Sequence, residues 1–138
     1  MFITSVPSER VFEVWPTVEP MLKGAVDLAP RRFSTGDLFL LLGCGKQLLW
    51  IVVDGPERNI IAALTSRVYN LPQGRICSVD WAGGEDHRTW VDEFLRIVEK
   101  YAKNMGCDII EYIGRPGWAK YVEKHGWSRQ SVAYEKEL

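Results

Sequence analysis

Residues 87-105 read HRTWVDEFLRIVEKYAKNM. Trp90, Phe94, Ile97, Tyr101 and Met105 recur every three or four positions, and Val91, Leu95, Val98 and Ala102 widen that row into a broad apolar stripe. This spacing predicts an amphipathic helix of about five turns that must bury one whole face. Asp86 stands where a cap belongs, and Gly106 where a left-handed stop belongs. A helix of this kind needs a partner surface, and the flanking sequence supplies strands.

Upstream, QLLWIVVD is a continuous apolar run, as expected of a strand covered on both faces. DGPERN is rich in turn formers and should return the chain into NIIAALTSRVYNL; after LPQG, RICSVDW alternates as a third strand. Downstream, CDIIEYI reads as a buried strand, GRPGWAKYVEKHGW as a short helix and SVAYEKEL as a last strand. Ahead of the meander, Ser8 is a candidate cap for a helix over VFEVWPTVEPMLKGAVDL, which Pro16 should restart or kink. Ser34 or Thr35 can cap a second helix over TGDLFLLLGCG. An antiparallel meander followed by a strand-helix-strand crossover implies an α/β (α+β) mixed sheet with helices on both faces, in a single domain spanning 1-138.

Charge and cysteine usage exclude several classes of function. Seventeen basic residues against eighteen acidic ones leave a net charge of -1, unlike a protein that coats nucleic acid. Cys44, Cys77 and Cys107 lie singly and far apart; with His87 and His125 the only histidines, neither a disulfide framework nor a metal site is expected. The cysteines read as reduced and mostly buried, in a cytoplasmic protein. LFLLLG and LLWIVV fall far short of the ~20 apolar residues that span a bilayer, so a soluble chain without membrane contact is expected.

The order of elements, with GGED before the long helix and Val122-Glu123-Lys124-His125-Gly126-Trp127 ending the short one, resembles the GNAT acyltransferase fold. That resemblance covers most of the chain and is strongest over residues 76-138. In GNAT enzymes a loop of the type Gln/Arg-x-x-Gly-x-Gly/Ala holds the coenzyme A pyrophosphate at the start of the long helix. A tyrosine in a Tyr-Glu-Lys-x-Gly-Phe type motif protonates the leaving thiolate. The matching residues implied here for coenzyme A are Gly83, Gly84, His87 and Arg88. The glycines come early, however, and Glu85 and Asp86 follow them, placing two carboxylates where phosphates would approach. The position of the acid is Val122, which has no proton to give; Tyr121, one residue earlier, falls about 100° around the helix. Asp80 is the candidate base, able to take a proton from an amine provided that it is buried rather than simply solvated at a strand end. No nucleophile triad can be assembled.

Local physics accounts for most of GRPGWAKYVEKHGW. Pro116 presets a helix start, Gly126 ends it, and Trp118, Tyr121, Val122 and His125 form one face. Arg115, Trp81 and Trp118 are candidate contacts for a protein partner.

Two functions follow. One is a GNAT-fold protein without acetyl-CoA chemistry that binds other proteins. The GGED, GCD and GRPGW pattern is similar to short GNAT-like proteins of tailed bacteriophages, which implies phage structural partners and a place in the virion or the host cytoplasm. The other is an acetyl-CoA-dependent N-acetyltransferase with a divergent pyrophosphate loop.

Overall fold

The computed structural model describes residues 1–138. β1 (Phe2–Val6) leads through a 3-10 turn into α1 (Val11–Val26) and α2 (Thr35–Gly43). β2 (Leu48–Asp54), β3 (Asn59–Leu71) and β4 (Gly74–Gly84) form the meander. α3 (His87–Asn104), β5 (Ile109–Tyr112) and a short α4 (Ala119–Val122) follow. The sheet order is β1-β2-β3-β4-β5, with every pair antiparallel except β4 and β5, which run parallel. This is an α/β mixed sheet with a helical layer on each face.

The continuous apolar run in β2 has its explanation in those two layers. Leu49, Ile51 and Val53 face a core built with Val18, Leu22 and Val26 of α1 and with Leu38 and Leu42 of α2. Trp50 and Val52 face the other core, which holds Trp90, Phe94, Leu95 and Val98 of α3. The stripe read from the sequence is therefore the buried face of α3. Its helix ends at Asn104, so Met105 lies beyond the last turn and is 41% exposed. Gly106 takes φ +75, the left-handed stop.

Ser34 caps α2 as expected. Its hydroxyl accepts from the Asp37 N–H while the Asp37 carboxylate accepts from the Ser34 N–H, a reciprocal capping box. Other expectations fail for definable reasons. α1 does not restart at Pro16 but continues through Pro16 and Pro20, both exposed and one turn apart. Ser8 opens a 3-10 turn and its side chain caps nothing. Asp86 is no side-chain cap either; it adopts a left-handed conformation, φ 52, and accepts the Thr89 N–H and hydroxyl through its carbonyl. FITSV is a strand, held by five register pairs to β2. Cys44 is exposed, and all three cysteines are free.

Residues 128–138 form no strand. They are exposed, and their side-chain ties to the body are ion pairs of Glu135 with Arg32 (2.9 Å) and of Glu137 with Arg31. Alternation in SVAYEKEL specifies an extended chain but not a neighbour, and within one copy no strand pairs with it.

Candidate functional site

The site originates in one extra residue. Thr65 faces Trp81 across the ladder while the next residue, Ser66, faces Val79, so Asp80 is a bulge in β4. Bulges bend the strand that carries them. Pairing of β4 with β5 ends at that point, with Val79 against Tyr112. β4 then continues to Gly84 with no neighbour on the β5 side, and the two strands part around a cleft.

Asp80 lies at the apex of this cleft, with its side chain 14% exposed. Its Oδ2 accepts from Gln47 Nε2 (2.7 Å) and Arg67 Nε (2.9 Å), and its Oδ1 from Ser78 Oγ (2.7 Å). A carboxylate has about four acceptor directions. Three are taken, which holds the group still and leaves one direction on Oδ1. Ser78 alternates with Cys77 and Val79, which join the α3-side core, so this polar cluster belongs to the face of α1 and α2. Asp80 is therefore a positioned group and not a solvated strand end.

The cleft itself is apolar and nearly full. Val79, Trp81, Ala82, Trp90, Phe94, Tyr112, Trp118, Val122 and Trp127 are among its walls, and the free volume is about 40 Å³. That is room for about one water molecule. Trp118 closes one side. Its ring packs against His87, Trp90, Tyr112 and Tyr121 at centroid distances of 5.7, 6.2, 6.4 and 5.9 Å. Burial pushes the Tyr112 hydroxyl up to about 12, and that hydroxyl donates to the Arg115 carbonyl (2.9 Å).

The candidate acid residues sort as follows. Val122 lines the cleft where the motif would carry an acid, so the apolar substitution faces the site directly. Tyr121 is 8% exposed, and its hydroxyl shares a hydrogen bond with His87 Nε2 (3.1 Å) outside the cleft lining. The structure joins His87 and Tyr121, 34 residues apart in the chain, into a pair that no spacing in the sequence marks.

The glycines assigned to a cofactor loop have another task. Gly83 and Gly84 are the last residues of β4. A Cβ on Gly83 would lie 1.8 Å from the Met21 carbonyl oxygen of α1, and one on Gly84 would lie 2.4 Å from Ala62 Cα. Both are needed for close packing of backbone on backbone. The Glu85 N–H is spent on the Ile61 carbonyl (2.8 Å), and the Glu85 carbonyl accepts the Trp90 indole (2.8 Å). The N–H groups of His87 and Arg88 have no backbone acceptor and would be the donors to a phosphate, aided by the two side chains. Glu85 and Asp86 oppose an anion at that place. The residues present thus fit the phosphates of coenzyme A poorly, and its extended arm only once the cleft opens.

Of the candidate partner contacts, Trp81 is half-buried and meets Phe33 edge-on at 6.1 Å, and Trp118 is committed to the cluster above. Arg115 is exposed and its guanidinium forms no ion pair. No group of side chains could hold a metal ion, and no helix is long and apolar enough to cross a membrane.

No family model matches the sequence, and no curated protein does. Solved structures do match, over nearly the whole length of both chains. Glucosamine-6-phosphate N-acetyltransferase from Arabidopsis thaliana superposes with a TM-score of 0.64 at 14% identity, covering 99% of this chain and 97% of that one. An aminoglycoside acetyltransferase from an uncultured soil metagenomic sample gives 0.68 at 12% identity, covering 99% and 95%. An acetyltransferase from Trypanosoma brucei gives 0.67 at 10% identity, covering 99% of each. These matches give the phage resemblance no support. The chain has the GNAT acetyltransferase fold.

Proposed function

We propose that the chain is an N-acyltransferase with divergent cofactor binding. One observation carries this reading: the bulge that parts β4 from β5 is Asp80 itself, which stands at the apex of the resulting cleft with its carboxylate held on the α1 and α2 face. The whole-length likeness to acetyltransferases supports it. Bound acetyl-CoA would supply the activated acyl group. Asp80 receives an amine from the α1 and α2 face on its remaining acceptor direction and takes its proton; Gln47, Arg67 and Ser78 keep it in place. Val122 contributes no proton to the leaving group, so turnover is slow.

Thiol release from acetyl-CoA with a panel of primary amines tests the reading. The wild-type protein is expected to release thiol slowly, and Asp80→Asn, shown folded by circular dichroism, to lose roughly 10²-fold or more. No release above background with any amine, or full activity in Asp80→Asn, contradicts it.

A second reading, protein binding without catalysis, is favoured by the same cleft being filled to about 40 Å³ and by the carboxylates at the start of α3. It predicts no thiol release at all.

A further inference from the structure

We infer that the Asp80 cluster is a binding site for a free amino acid, whose ammonium meets Asp80 and whose carboxylate meets Arg67. Only the naming of that amino acid as the acceptor rests on the acyltransferase reading. Arg67 and Tyr69 alternate in step with Ala63 of β3 and so stand on the α1 and α2 face. Arg67 gives its Nε to Asp80 Oδ2 at 2.9 Å, and its Nη groups make no hydrogen bond or ion pair. Its Cζ lies 4.6 Å from the centroid of the Tyr69 ring, and the Tyr69 hydroxyl donates to Glu111 Oε2 (2.9 Å). A carboxylate at one edge and a ring on one face thus fix the guanidinium. Its remaining donors are left at the surface, where the side chain is 40% exposed.

The unused hydrogen-bonding capacity of the cluster has two signs. Asp80 keeps one acceptor direction on Oδ1. Gln47 must donate through Nε2 because a carboxylate only accepts, and its buried Oε1 is an acceptor without a donor. Acceptors are therefore in excess on the Asp80 side and donors on the Arg67 side, next to one another. The ammonium and carboxylate of an amino acid are the complement of that pair.

Charge points the same way. Arg67 already offsets the charge of Asp80, so a lone ammonium meets a neutral pair, whereas a zwitterion adds one partner to each member. A diamine would need Glu111, which shares this face through the Tyr69 contact, for its second cation. Arg67 stands between the two carboxylates and repels that cation.

NMR titration of the full chain tests the proposal with matched sets of an amino acid, its carboxamide and its decarboxylated amine, built on alanine, serine, leucine and phenylalanine. In at least one set the acid is expected to bind roughly tenfold or more tighter than both relatives. Arg67→Gln, shown folded by circular dichroism, brings that ratio to about one, and Arg67→Lys, which keeps the charge without the fork, gives an intermediate ratio. The ratio is the readout because loosening Asp80 weakens all three ligands alike. Acids that bind no tighter than their amides overturn the proposal, as do tighter binding of putrescine and an acid preference that survives in Arg67→Gln. Acids that bind with the expected ratio but release no thiol from acetyl-CoA refute the acyltransferase reading and leave the amino-acid site standing.

Discussion

Asp80 and Gly83 sit three residues apart on β4, the one held by three side chains and the other pressed against the backbone of α1. Asp80 owes its place to a bulge, which is a count of residues between two strands and leaves no trace in residue type. Its carboxylate was legible as a candidate base, but Gln47, Arg67 and Ser78, which hold it, come from three other positions in the chain and were not. Gly83 suits a phosphate contact in the sequence because glycine permits close backbone approach. The approach is real, but the backbone it meets is that of α1. Gly83→Ala should therefore destabilise the fold by roughly 1–3 kcal/mol or more in urea titrations, whatever the ligand. Unchanged stability would show that α1 can move aside.

Two buried groups also set a limit at high pH. Burial raises the Cys77 thiol from 9.0 to about 12 and the Tyr112 hydroxyl from 10.0 to about 12. In each case the neutral form suits the folded chain and the unfolded chain ionises first. Their contribution is whole below about pH 9 and is lost as pH climbs towards about 12. Thermal melts from pH 8 to 11 should fall progressively, and less steeply in Cys77→Ala. Parallel pH profiles for the two proteins would show that the thiol carries none of this.

At the level of elements, long periodic segments were readable and short ones depended on partners. α3, β2 and β3 follow from spacing and apolar runs because each buries a face that its own sequence marks. β1 has five residues and a mostly exposed pattern, and its status comes from pairing with β2. SVAYEKEL is the converse, a strand pattern with no strand beside it in one chain. α1 shows that two prolines on a wet face do not end a helix whose other face holds Val18, Leu22 and Val26 at 0% exposure. The mechanical centre is the α3 stripe: Phe94 is 2% exposed and packs edge-on against Trp50 at 6.0 Å and Trp90 at 6.5 Å. Phe94→Ala should cost ~3–5 kcal/mol in urea unfolding. A loss under ~1 kcal/mol would mean that the α3-side core is not the folding unit described.

For the molecule as a whole, the fold and the chemistry part company in an informative way. The fold is that of acetyltransferases, and the resemblance was visible in the sequence through element order and the ending Glu123-Lys124-His125-Gly126-Trp127, where Gly126 takes φ +85. The filling of the cleft was not visible. Trp118 reads as one face of a short helix, and only the assembled cluster of His87, Trp90, Tyr112 and Tyr121 turns that face into a plug. If this cleft is the functional site, removing the plug should expose it. Calorimetric titration of acetyl-CoA into wild type and Trp118→Ala, each shown folded by circular dichroism, measures this directly. The account predicts weak binding by the wild type and binding tighter by roughly tenfold or more in Trp118→Ala, a gain of about 1.4 kcal/mol. Equal binding by the two proteins, or none by either, would contradict it.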